Sequence, residues 1–136
     1  MASSSGHLAQ WQHNRELIPL IPRRYTDWIV TVSFYTALHA VDYLLSKDGV
    51  STIVDHRSRN SVLLTTNKYN FICKRYLQLF DLSQTVRYLA EPAAWVPFNK
   101  IESDVFGRYL YPIEESVRRL SGNTEAPQAP ITIDPA

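Results

Sequence analysis

Cysteine is almost absent from this chain of 136 residues. The lone Cys73 can close no internal disulfide, which fits a reducing cytoplasm. It falls within an apolar helical pattern, where a small core filler is expected rather than a nucleophile. Charge of one sign is missing too: 14 Lys and Arg against 13 Asp and Glu leave a net charge of +1. That balance argues against a nucleic-acid binder working by bulk electrostatics alone. No apolar run is expected to approach the length of a membrane span. The opening Met-Ala-Ser-Ser-Ser-Gly-His lacks the basic-then-apolar pattern of a signal peptide. Residues 1–6 are expected to be a disordered leader.

The familiar chemical motifs are absent as well. There is no glycine-rich phosphate loop, no cysteine pair for zinc, no His-Glu-x-x-His helix and no Gly-x-Ser-x-Gly elbow. The histidines His7, His13, His39 and His56 are too scattered for a metal site to be argued from spacing. No metal or cofactor is expected. No alternating period-two stretch is long enough to compete with helical patterns.

What is present is helical periodicity. From Thr26 to Lys47 the apolar residues Val30, Phe34, Leu38, Val41 and Leu45 recur at helical steps. Thr26 or Asp27 offers an N-cap, and Asp48-Gly49 offers a stop. Beside the apolar face runs a polar row, Thr31, Tyr35, His39 and Asp42. A buried helix tolerates such a row only if each group finds a partner. A first helix is expected over about 5–18, broken by Pro19 and Pro22. Asp55 should cap another that runs through Val62 to Leu64. The row Tyr69, Ile72, Cys73, Tyr76 and Phe80 defines a further helix, with a break expected at Asp81-Leu82-Ser83. After the proline-bracketed stretch 91–97, whose Trp95 is expected to plug the core edge, Ile101, Val105, Tyr109, Ile113, Val117 and Leu120 define the last helix. Gly107 and Pro112 should loosen or kink it. The predicted class is all-α: one bundle over 7–121, followed by a disordered proline-rich tail over 122–136.

Two groups of residues stand out chemically. His39 has Tyr35 and Asp42 one turn to either side, so a Tyr–His–carboxylate cluster is one reading and a satisfied core histidine the other. His56, Arg57 and Arg59 open a helix, where arginine forks suit phosphate and histidine can move protons. Solvated caps are the plainer alternative. From His56 to Phe80 the charges are all basic (Arg57, Arg59, Lys68, Lys74, Arg75), whereas acids outnumber bases from Asp81 onward. Tyr69, Tyr76, Tyr88 and Trp95 either stack on bases or fill the core.

Asp27-Trp28, Phe34-Tyr35-Thr36-Ala37-Leu38-His39 and His56-Arg57-Ser58-Arg59-Asn60, with Tyr76-Leu77, Leu82-Ser83 and Val86-Arg87-Tyr88, resemble small bacterial HEPN-domain proteins. The resemblance spans about 9–120. It implies an antiparallel up-and-down bundle of four to five helices, usually a homodimer. It also implies membership of a superfamily of metal-independent ribonucleases from toxin–antitoxin, anti-phage and CRISPR systems. Active members carry Arg-x(4–6)-His at a dimer cleft; here no histidine follows an arginine at that spacing. Two outcomes stay open. In one, His39, His56, Arg57 and Arg59 form a rearranged catalytic site, with Tyr35, Asp42, Asn60 and Lys68 in binding roles. In the other, the chain is a non-catalytic helical dimer that binds nucleotide, RNA or a protein such as a cognate antitoxin.

Overall fold

The computed structural model describes residues 3–89, 91 and 95–133. Its helices are α1 (Ser4–Leu17), α2 (Thr26–Lys47), α3 (His56–Thr65), α4 (Asn70–Tyr88) and α5 (Tyr111–Ser121), with a π-helical segment Ile101–Leu110 leading into α5. Among the described residues there is no strand, so the all-α expectation holds. Helix α1 begins within the 1–6 expected to be a leader: Ser3 caps it by accepting from the Gly6 N–H at 3.1 Å. Met1 and Ala2 lie outside the described residues.

α2 is the axis of the core. Its apolar row Val30, Phe34, Leu38, Val41 and Leu45 is buried, and α1, α4, α5 and the π-helical segment all pack against it. Neither Thr26 nor Asp27 caps it; the position before the helix is Tyr25, without a side-chain cap. Its end follows the expected chemistry. Gly49 takes φ 81°, its N–H bonds Ser46 O, and the Val50 N–H reaches back to Leu45 O at 2.9 Å, the double closure that a left-handed residue permits. By length and mean hydropathy (1.3) α2 would suffice to cross a membrane, which corrects the expectation that no such run exists. In this fold 78% of that window is buried, as a helix surrounded on all sides requires.

α4 runs through Asp81-Leu82-Ser83 without the expected break. Ser83 Oγ donates to Phe80 O at 2.7 Å, so the hydroxyl bonds the helix it was expected to interrupt. The last helix is loosened where Gly107 and Pro112 predicted it. Over Ile101–Leu110 the turns widen, and the Tyr111 N–H bonds Phe106 O five residues back. A Cβ on Gly107 would meet Glu102 O at 3.1 Å, so the bare glycine suits this wide register. Pro112 needs no donor bond, and there the chain returns to α-helix. Trp95, expected in the core edge, is exposed, and the fully buried tryptophan is Trp11.

The predicted disordered tail is ordered through residue 133. Ala126, Ile131 and Ile133 are buried. Arg118 Nη1 donates to Pro127 O at 2.6 Å, Asn123 Nδ2 to Tyr43 Oη at 2.9 Å, and the Ile131 N–H to Tyr111 Oη at 2.8 Å. Prolines restrict the strap without preventing it from docking, because backbone carbonyls and alternate apolar side chains still find partners. Residues 134–136 lie outside the described residues.

Candidate functional site

The polar row of α2 is divided among its neighbours. Thr31 Oγ1 donates to Asp27 O at 2.8 Å within the helix. Tyr35 Oη accepts from Arg87 Nη1 of α4 at 2.8 Å. His39 Nδ1 lies 3.1 Å from His7 Nδ1 of α1. Asp42 accepts from Arg59 Nε (2.6 Å) and Nη2 (2.8 Å) of α3, a two-point fork that suits a buried carboxylate. The Tyr35–His39–Asp42 cluster, one of the two readings of this row, therefore does not form, and His39 instead ties α2 to α1. A guanidinium brought in by α3 takes the carboxylate more completely than a neutral imidazole on the same helix can.

Arg59 sits 7% exposed over Asp42 at 3%, with the Tyr76 phenol against it. Burial pushes the Tyr76 hydroxyl up, and that oxygen closes no hydrogen bond of normal geometry. Arg59 Nη1 also faces His56 Nδ1 at 3.4 Å. Arginine only donates, so His56 Nδ1 is the acceptor and the ring proton resides on Nε2. Burial, then the charges of Arg59 and Arg87, hold His56 below the usual imidazole value. Asp55 caps α3 by accepting from the Ser58 N–H at 2.8 Å, and Ser58 Oγ in turn accepts from the Asp55 N–H. That reciprocal cap fixes His56 and Arg57 in the first turn.

At the other imidazole pair, His7 Nε2 is buried without a partner. Placing the shared proton on His7 Nδ1, donating to His39 Nδ1, leaves no buried N–H orphaned. Burial is the main cause that holds both rings below their usual value; Asp42 opposes it and Arg59 adds to it. The folded state thus keeps these imidazoles neutral where an unfolded chain would protonate them. Stability is complete above about pH 6.5 and falls as the pH drops below it, because the unfolded chain then binds more protons. Urea titrations at about pH 7.5 and about pH 5.5 should show wild type losing more stability on acidification than His7→Gln. Equal losses in both proteins would remove the pair as the cause.

Beside this cluster, α3 and α4 enclose a groove of about 510 Å³ lined by His56, Arg57, Asn60, Ser61, Leu64, Thr65 and Phe80. His56 packs its ring 5.3 Å from Phe80 and 5.9 Å from Phe34. Arg57 is exposed at its mouth, and Asn60 Oδ1 has no partner among the described residues. Of the residues predicted from sequence, His56, Arg57 and Asn60 therefore share the groove. Arg59 lies behind His56 with its fork committed to Asp42, and His39 is turned to α1. Lys68 is drawn off to Asp48 at 2.9 Å, where Tyr69 Oη also donates at 2.6 Å. Cys73 is buried, and burial raises its thiol. Among the described residues no cluster of three or more His, Cys, Asp or Glu could hold a metal.

A second buried polar centre was not read from the sequence. Glu114, 1% exposed, accepts from Arg15 Nε at 2.7 Å, Arg15 Nη2 at 3.1 Å and Trp11 Nε1 at 2.6 Å. Arg15 Nη1 donates onward to Ala129 O. Burial pushes the Glu114 carboxyl up, against the pull of Arg15 and the indole. Trp11 and Arg15 one turn apart on α1 were the only local signal; their acid lies 99 residues beyond Arg15. No family model matches this sequence, and neither a curated protein nor a solved structure matches it.

Proposed function

We propose that this chain is a HEPN-like antiparallel bundle that binds RNA in the cytoplasm through the α3/α4 groove and does not cut it. The observation that carries this reading is the contact between His56 Nδ1 and Arg59 Nη1. A general base needs a free lone pair near the substrate proton. In neutral His56 that lone pair is on Nδ1, against a permanent cation. In His39 it faces His7. Both rings therefore keep an Nε2–H, a donor suited to phosphate or base oxygens. Arg57 supplies an uncommitted fork for a phosphate, and Phe80 and Leu64 supply apolar lining for a base. The resemblance to HEPN proteins supplies the RNA class. A homodimer belongs to the same reading: Phe71, 52% exposed on α4, gives apolar surface for a second copy.

The test is fluorescence anisotropy with a labelled single-stranded RNA, run beside gel analysis of the same RNA in chelator. Arg57→Ala should weaken binding and lower the log–log salt slope by about one phosphate contact. His56→Gln should weaken binding while the RNA stays intact throughout. Binding unchanged in Arg57→Ala would remove the groove from the interface. Cleavage lost in His56→Gln would replace the binding reading with catalysis.

A further inference from the structure

Large apolar side chains exposed in this fold include Trp28 at 57% and Tyr88 at 70%. They are not scattered. Both line one cavity of about 270 Å³, where the first turn of α2 meets the last turn of α4, together with Asp27, Thr31, Val86 and Arg87. Leaving a tryptophan and a tyrosine in water around a concavity gives the core nothing, and aromatic faces beside polar groups are what a planar ligand requires.

The polar groups are fixed in advance. Arg87 is held on three sides: Nε donates to Ser83 O at 3.1 Å, Nη2 to Ser83 Oγ at 3.3 Å and Nη1 to Tyr35 Oη at 2.8 Å. Its guanidinium carbon stands 5.2 Å from the Tyr88 ring and 5.3 Å from the Tyr35 ring, so a flat cation forms one wall and retains N–H groups to donate. The Thr31 hydroxyl is spent on Asp27 O. Among the described residues the Asp27 carboxylate makes no hydrogen bond or salt bridge. It remains an acceptor at the rim of an aromatic pocket.

We infer that this cavity is a guanine-binding site, with the base stacked on Trp28 and Tyr88 and its N1–H and N2–H₂ edge donating to the Asp27 carboxylate. Guanine is the nucleobase that presents two adjacent donors on one edge and acceptors, O6 and N7, on another. The first pair suits a carboxylate, and the second suits Arg87. Adenine would set its N1 lone pair against Asp27, and uracil offers a single N–H. For the groove reading above, this pocket supplies a second contact on the same RNA and makes guanosine the preferred nucleotide there. As a mononucleotide site it stands independently of that reading.

The decisive measurement is calorimetric titration of the whole chain with GMP, AMP and UMP. GMP should bind at least about tenfold more tightly than AMP, with UMP weaker still. Trp28→Ala should weaken GMP about tenfold or more, in the range expected for loss of one stacking face, while Trp28→Phe keeps most of the affinity. Asp27→Asn should bring GMP and AMP within about twofold of each other; circular dichroism on each variant reports the fold. GMP and AMP binding alike in wild type, no GMP binding at millimolar concentration, or a guanine preference that survives Asp27→Asn would each overturn the assignment. The two sites fail separately. A guanine-free RNA that still depends on Arg57 leaves the groove intact when the GMP titration is flat, and a GMP site unaffected by Arg57→Ala stands even if no RNA binds.

Discussion

Glu114→Ala is expected to destabilise the fold by about 3–5 kcal/mol, the range for removing one partner of a buried ion pair. The carboxylate accepts three bonds, two from Arg15 and one from Trp11. Truncation leaves a guanidinium 8% exposed with only the Ala129 carbonyl, and an indole N–H with nothing. Orphaned buried donors, more than lost attraction, set this magnitude. Glu114→Gln keeps the shape and one oxygen that still accepts from Arg15 Nε and Trp11 Nε1, while its amide N–H₂ faces Arg15 Nη2 and the charge is lost, so it should cost less than truncation. Urea unfolding at neutral pH reads both variants; a loss under about 1 kcal/mol for Glu114→Ala would mean that the pair contributes little to holding α1 on α5.

Arg59→Ala is expected to have an effect of similar size, about 3–5 kcal/mol, because Asp42 at 3% exposure then keeps a carboxylate with no cation beside it. Two further readouts separate this pair from ordinary packing. In a double-mutant cycle Arg59→Met with Asp42→Leu should recover much of the loss, since a buried pair replaced by apolar groups of similar volume is often neutral. In a histidine NMR titration on a folded Arg59→Met sample, His56 should titrate higher than in wild type, because the adjacent cation that depresses it is gone. Strictly additive losses together with an unmoved His56 would show that Arg59 neither pairs with Asp42 in solution nor controls the imidazole.

The bundle was legible where a residue's fate depends on its near neighbours in sequence. Helical spacing located α2 and its buried row, Asp55 announced the start of α3, Gly49 announced the end of α2, and Gly107 with Pro112 marked the loosened last helix. Partner choice was not legible. The stripe Thr31, Tyr35, His39 and Asp42 showed that polar groups needed satisfying, yet Arg87, His7 and Arg59, the partners of the last three, come from three other helices. Spacing on one helix suggested that His39 and Asp42 would serve each other, and only the arrival of α3 decides otherwise. The ordered strap was not legible for the same reason: a proline-rich composition describes the strap's own flexibility, while docking depends on carbonyls offered to Arg15 and Arg118 and a backbone N–H offered to Tyr111. Trp11, Arg15 and Glu114 carry no shared local pattern across their separation.

That separation also bears on how the amino-terminal helix is held. Arg15 precedes by 99 positions the carboxylate that neutralises it, and the last carbonyl it meets lies further on still. Glu114 and the Ala129 carbonyl are the groups that meet that guanidinium, so without them the cation is expected to stay in water. A chain truncated before Glu114 is therefore expected to hold α1 through its packing on α2 alone, without the anchor that three donors share at that carboxylate.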